Sequence, residues 1–343
     1  MPGGAAALTA RDDLRIVLVL AGGNALGAYQ AGVIQALHEG GIAPEWIIGT
    51  SAGAINGAIL AGNTPDVALA KLAAFWRSDG FDWWQAWPET WRRTIETSAT
   101  LLGGRPGLFG PLGTALFAGP TPALYDTGPL GATLEFSIDF ARLNAGVPRF
   151  TAVAVDLESG AEMTFDSRER TIGAEHIRAS AALPPAFPAV AVEGRLYVDG
   201  GLSANLPLDP ALSTPSQRPT LCIAVDLLPM RSGRPDTLGA MAARAQDLTF
   251  ASQTRRTIAR WQAHYATDPA FRGCSVTLAQ LLYANQQREV AGKAMDFSPA
   301  SVRQRWEHGL REGKQLVRRL ERGTLQLGAA GLHVAPVQSE NAP

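Results

Sequence analysis

The pentapeptide Gly49-Thr50-Ser51-Ala52-Gly53 lies between the apolar run Trp46-Ile47-Ile48 and a small-residue stretch, residues 54–61, that reads as a helix. A serine at the apex of a sharp strand-to-helix turn needs small neighbours two residues before and two after it. A Cβ at either place would collide with the adjoining strand or helix. Gly49 and Gly53 meet that need. The turn lifts the Ser51 hydroxyl out of the fold and sets it at a helix N-terminus, where unpaired N–H groups favour developing negative charge. That geometry suits acyl transfer. In a chain this rich in Gly and Ala, a purely structural helix entry reads the same way, so the other motifs decide.

Residues 14–20 form a β-branched apolar run ending in Ala21-Gly22-Gly23, the pattern of a buried parallel strand entering a glycine turn. Tyr29, Val33, Ala36 and Leu37 then recur at helical spacing up to Gly40-Gly41. The 46–48 strand, the helix after it and an amphipathic helix over 65–76 continue the alternation. It predicts a parallel sheet with helices on its faces and ligands at the carboxyl ends of the strands. Both glycine motifs fall at such ends.

Residues 77–122 break the pattern with dense Gly, Pro and Trp and read as a lid or irregular insertion with a short helix at 90–102. Strands are expected at 149–155, 162–165, 195–198 and 221–227, with a short helix at 174–181 and a linker at 229–235. Beyond it, long basic helices over 238–265 and 301–322 flank a strand-like run at 274–282. The reading therefore divides the chain into a catalytic domain (10–230), a C-terminal extension packed on it (231–325) and a flexible tail (326–343).

A serine hydrolase needs a base for the serine proton and donors for the oxyanion. None of the five histidines stands at a strand end among turn residues, and most lie on expected helices. Asp199 follows a strand immediately and precedes Gly200-Gly201, which brings its carboxylate to the same sheet edge as Ser51. Taken alone, Asp-Gly-Gly is more often a simple turn.

In order and spacing, the glycine turn from Gly22 to Val33, Gly49-Thr50-Ser51-Ala52-Gly53 and Asp199-Gly200-Gly201 together resemble the patatin-like phospholipase family. Ala179-Ser180-Ala181-Ala182-Leu183-Pro184 and Asn205-Leu206-Pro207 extend the resemblance, which covers roughly residues 15–226. It implies an α/β fold, a three-layer α/β/α patatin-like sheet, here with a mainly helical C-terminal extension similar to that of a bacterial subgroup. It further implies Ser51 as nucleophile, Asp199 as its base without a histidine, and backbone amides of Gly22, Gly23 and Asn24 as the oxyanion hole, with Gly49, Gly53, Gly200 and Gly201 supporting. No metal or cofactor is expected. Two positions depart from the family pattern: Asn24 stands where a third Gly is usual and Leu26 where Arg is usual. The first restricts the backbone and adds a side-chain amide as a further candidate donor, and the second removes a cation near the oxyanion loop.

With 343 residues and 46% apolar content the chain can bury one large core or two modest ones. Its formal net charge of −1 gives the whole molecule no electrostatic claim on nucleic acid. Lys and Arg nonetheless outnumber Asp and Glu about two to one between residues 240 and 322. Cys222 and Cys274 read as buried free thiols in a reducing compartment. The first residues lack the pattern of a secretory signal, and no apolar run approaches ~20 residues. The expectation is a cytoplasmic protein, soluble or held peripherally at a membrane.

The partner implied is a lipid or other ester substrate. Phe75, Trp76, Phe81, Trp83, Trp84, Trp87 and Trp91 would suit a lipid-facing lid, or equally a loop packed onto the core. The basic helices would meet anionic lipid or simply present a solvated face. Two other readings compete with a serine lipid acyl hydrolase. One is a dinucleotide-binding oxidoreductase, which lacks the G-x-G-x-x-G spacing and an acidic residue after the second strand. The other is a non-hydrolytic lipid- or partner-binding protein that retains the fold.

Overall fold

The computed structural model describes residues 13–77, 89–111, 122–284, 286, 289–290 and 292–337. Its strands are β1 (Arg15–Leu20), β2 (Trp46–Thr50), β3 (Gly110–Pro111), β4 (Tyr125–Asp126), β5 (Arg149–Asp156), β6 (Glu162–Asp166), β7 (Val190–Val192), β8 (Arg195–Asp199), β9 (Thr220–Asp226), β10 (Ser275–Leu282) and β11 (Gly331–Pro336). The helices are α1 (Gly27–Glu39), α2 (Ala52–Ala61), α3 (Pro65–Trp76), α4 (Glu89–Gly103), α5 (Gly128–Ser137), α6 (Phe140–Asn144), α7 (Ala174–Ser180), α8 (Gly201–Ala204), α9 (Asp209–Leu212), α10 (Leu238–Thr267) and α11 (Pro299–Glu321).

One mixed sheet runs β11-β10-β9-β1-β2-β5-β8-β7, with β6 also on β5, while β3 and β4 form a separate ribbon. The pairs from β11 across to β5 are parallel; β6 and β8 pair antiparallel with β5, and β7 with β8. The central strands are continuous apolar runs because both faces are covered. Leu18, Leu20, Ile47 and Phe150 face one core with residues of α1, α2 and α11. Val17, Val19, Ile48 and Cys222 face the other, beneath Leu212 of α9 and Tyr265 of α10. These are the three layers, α/β/α, that the sequence pattern predicts.

The strands of the extension are part of this sheet: β10 pairs with β9 and β11 with β10. Residues 331–336 therefore do not belong to a flexible tail. The free edge of β10 takes up their backbone groups, and Leu332 and Val337 are buried. A six-residue run with Gly, His and Pro carries too little alternation to read as a strand from sequence.

The long helix α11 lies against α1 with backbones in direct contact. A Cβ on Gly32 would stand 2.0 Å from the Trp306 carbonyl oxygen, and one on Gly309 would stand 1.9 Å from that of Tyr29. Only glycine admits such an approach. Trp306 Nε1 donates to Gln35 Oε1 across the same contact at 2.6 Å. Both cysteines are buried and unpaired. Among the described residues no helix is long and apolar enough to cross a membrane.

Candidate active site

Ser51 follows β2 and caps α2 with φ 56° and ψ −122°. That is the first central position of a type II′ turn, a region glycine populates and other residues enter only under strain. The surroundings hold it there. A Cβ on Gly49 would meet the Gly53 carbonyl group at 2.4 Å, and one on Gly53 the Leu20 carbonyl oxygen at 2.2 Å. The turn thus closes because strand, helix and β1 touch at two glycines. The Ser51 N–H donates to Ser180 Oγ at 3.0 Å, and the Ser180 hydroxyl donates to the Val153 carbonyl at 2.6 Å. Ser180, at the end of α7, therefore ties the elbow to β5, a role that residue type and spacing did not reveal.

Register brings Asp199 to the same point. β2 pairs with β5 up to Thr50 opposite Val153, and β8 pairs with β5 one residue further, at Asp199 opposite Ala154. Ser51 and Asp199 line one cavity, and the Ser51 hydroxyl lies near enough to help hold the Asp199 carboxyl down against burial. The Gly201 N–H donates to Asp199 Oδ1 at 2.7 Å. Gly200 stands so close to β5 that a Cβ would meet the Val153 carbonyl oxygen at 2.3 Å. Asp199 is only 2% exposed. Burial pushes its carboxyl up to about 7, against the opposing pull of the Gly201 N–H and the Ser51 hydroxyl. A carboxylate with affinity for a proton near neutral pH is a far better base than a solvated aspartate.

The glycine turn after β1 corrects one expectation. The Gly22 N–H donates to the Asn205 carbonyl at 2.9 Å, and Asn205 Nδ2 donates back to the Gly22 carbonyl at 3.1 Å. With its N–H engaged, Gly22 is an anchor of the turn and not an oxyanion donor. It must still be glycine, since a Cβ would lie 2.6 Å from Asn205 Oδ1 and 3.1 Å from Ser51 Cβ. Gly23 and Asn24 do line the cavity beside Ser51, and among the described residues no acceptor engages their N–H groups. Asn24 holds φ 49°, a left-handed conformation that asparagine tolerates better than most residues. Its side-chain amide does not point at the serine. It donates to Met295 Sδ at 3.1 Å.

The cavity in front of Ser51 and Asp199 measures about 430 Å³. Ile55, Trp76, Phe109, Leu130, Phe187 and Phe297 are part of a wall that is mainly apolar. A mainly apolar cavity beside Ser51 and Asp199 suits a ligand that is largely hydrocarbon. Phe75 and Trp76 are buried in the core, with Trp76 Nε1 donating to Asn56 Oδ1 at 2.8 Å, so these two pack inward. Trp91 is 63% exposed. Phe81, Trp83, Trp84 and Trp87 lie outside the described residues.

A three-layer α/β fold with a strained serine elbow and a buried aspartate at adjacent sheet rungs defines a class of α/β proteins built around a serine. Within it, the chain belongs to the patatin-like phospholipase family: the family model described as patatin-like phospholipase matches residues 18–212. A second model, described as patatin phospholipase, matches residues 253–323. The chain is 30% identical over 216 residues to patatin-like phospholipase domain-containing protein 7 of Rattus norvegicus, covering 62% of this chain and 13% of that protein. It is also 30% identical over 221 residues to an uncharacterized NTE family protein of Mycobacterium tuberculosis, covering 62% of this chain and 49% of the relative. The alignments thus span less than two thirds of either relative. Among solved structures, VipD from Legionella pneumophila superposes with a TM-score of 0.38 at 15% identity over 85% of this chain and 66% of that one. The type III effector protein ExoU gives a TM-score of 0.38 at 15% identity over 90% and 53%.

Proposed function

We propose that the protein is a serine lipid acyl hydrolase, phospholipase A-like or an esterase, that works through a Ser51–Asp199 dyad and an acyl-enzyme. The observation that carries this reading is the sheet register that brings Ser51, on its glycine-flanked elbow, and the buried Asp199 carboxylate to one cavity. Family membership and the apolar cavity support a lipid ester as substrate.

Ionised Asp199 takes the hydroxyl proton as Ser51 Oγ attacks the ester carbonyl. The oxyanion that forms accepts hydrogen bonds from the Gly23 and Asn24 N–H groups, and the N-terminus of α2 adds its dipole. Collapse of the tetrahedral intermediate expels the alcohol, which takes the proton from Asp199 and leaves the acyl group on Ser51. Water then attacks the acyl-enzyme with Asp199 again accepting a proton, and fatty acid and free Ser51 are released. The acyl chain occupies the apolar chamber throughout. Burial of Asp199 serves the first step, because a base of pKa about 7 drives proton transfer while a useful fraction stays ionised at neutral pH.

The test is release of fatty acid from mixed phospholipid vesicles and of p-nitrophenol from a chain-length series of esters, for the wild type, Ser51→Ala and Asp199→Asn. The reading predicts hydrolysis by the wild type that is lost in both variants. An inactive wild type, or activity surviving in Ser51→Ala, contradicts it.

A further inference from the structure

The second turn of α11 carries a guanidinium with no exposure to solvent, that of Arg305. All five of its N–H donors are used. Nε donates to Glu289 Oε1 at 2.9 Å and Nη2 to Glu289 Oε2 at 2.6 Å. Nη2 also donates to the Lys293 carbonyl at 3.0 Å, and Nη1 to the Asp296 carbonyl at 2.7 Å. The last bond leaves the extension altogether: Nη1 donates to the carbonyl of Ala25 at 3.1 Å, within the turn that carries the Gly23 and Asn24 amides.

We propose that Arg305 is a positioning residue for the oxyanion turn, so that the C-terminal extension completes the active site of the catalytic layer it joins. This rests on the hydrolase reading above for its catalytic consequence, though not for its structural one. Two further contacts place the same segment on the same turn. Met295 Sδ accepts the Asn24 side chain, and Gly309 lets α11 touch the Tyr29 carbonyl one helical turn beyond Ala25. Asn205 holds the other end of the turn through Gly22. Gly23 and Asn24 are thereby suspended between two anchors, with their N–H groups left for substrate.

The guanidinium is itself fixed by a charge-balanced cluster. Arg93 of α4 pairs with Glu289 at 2.8 Å and with Asp296 at 3.1 Å, each side chain at most 3% exposed. The Tyr283 hydroxyl donates to Glu289 Oε1 at 2.7 Å, and the Ser301 hydroxyl donates to Asp296 Oδ2 at 2.5 Å. Two arginines and two carboxylates leave no net charge inside, and against the upward push of burial the arginine and tyrosine partners of Glu289 hold its carboxyl well below the usual range. A planar fork with five donors can satisfy Glu289 bidentately and still reach three carbonyls; a single ammonium cannot.

The experiment uses the full chain carrying Arg305→Met, with Arg305→Met/Glu289→Gln as a second variant that keeps the buried cluster neutral and so protects folding. Amide hydrogen exchange read by mass spectrometry on the segment around residues 22–27 reports the turn without needing turnover. Faster exchange there, with β5 and β9 unchanged, is the expected result. For ester hydrolysis, kcat falls roughly 100-fold with KM little changed, as for a misplaced catalytic group. The preference for an ester over its thionoester also shrinks, because sulfur draws little from the oxyanion donors and has little to lose. Unchanged exchange in the turn, exchange that rises throughout the chain, or an unaltered kcat and ester preference in a folded variant overturns the proposal. A wild type that hydrolyses no ester would remove the hydrolase reading, and the exchange result would still decide whether Arg305 holds the turn.

Discussion

Ser51 and Asp199 come to one cavity because β2 and β8 reach β5 at consecutive residues, Val153 and Ala154. The pair is made by register and not by proximity in sequence. β8 runs antiparallel to β5 and delivers Asp199 by its last residue, at the carboxyl edge of the sheet where β2 delivers the elbow.

A pH profile follows from the burial of Asp199. The proposed mechanism requires its ionised form, so kcat/KM for a neutral ester is expected to rise with unit slope below about 7 and level off above. Initial rates from pH 5 to 9 check this, and a profile flat down to pH 5 contradicts it.

Stability runs the opposite way. Because the folded-state pKa of Asp199 lies above its unfolded value, the native state binds the proton more tightly, and stability falls as pH rises from about 4 to about 7. Asp226, buried and pushed up to about 6, acts with the same sign. Asp199→Asn removes the penalty at the first site and keeps an acceptor for the Gly201 N–H. It is expected to be more stable than the wild type at pH 8, by at most ~4 kcal/mol, and equal to it below pH 4. Denaturant melts at the two pH values measure the difference.

The elbow stores backbone strain at Ser51. Ser51→Gly and Ser51→Ala both lack the proposed nucleophile, but only glycine sits at ease at φ 56° and ψ −122°. Ser51→Gly is therefore expected to exceed Ser51→Ala in stability by about 1 kcal/mol, a gap that chemical denaturation resolves. Equal stabilities would mean that the backbone there is relaxed.

Ser180→Ala leaves the Ser51 N–H and the Val153 carbonyl without their buried partner. The expected loss is about 1–3 kcal/mol of stability, together with a fall in kcat as the elbow loosens. Thermal melts and steady-state kinetics on the same preparation read both, and an unchanged kcat would release Ser180 from any part in holding the nucleophile.

Much of this was legible in the sequence for local reasons. Glycines two either side of Ser51 report a steric contact, the apolar run before them reports a covered strand, and Asp199 follows a strand directly. The tail strand β11 was hidden because its stability comes from the edge of β10 and not from its own pattern. Gly22 was misassigned as a donor because Asn205, 183 residues away, takes its N–H. Arg305 gave no signal at all: in a helix rich in Arg and Lys it reads as one more solvated charge, and only the fold shows it buried on Ala25. Contacts between distant segments that satisfy buried polar groups leave no periodicity to read.

The central claim is that Ser51 is a nucleophile activated by Asp199. The most direct measurement is the site and rate of labelling by an alkyl fluorophosphonate, followed by mass spectrometry of the peptide that contains Ser51. The account predicts a single adduct on Ser51 in the wild type, none in Ser51→Ala, and labelling in Asp199→Asn that is slowed by orders of magnitude. An unlabelled wild type, an adduct on another residue, or labelling as fast in Asp199→Asn as in the wild type would contradict it.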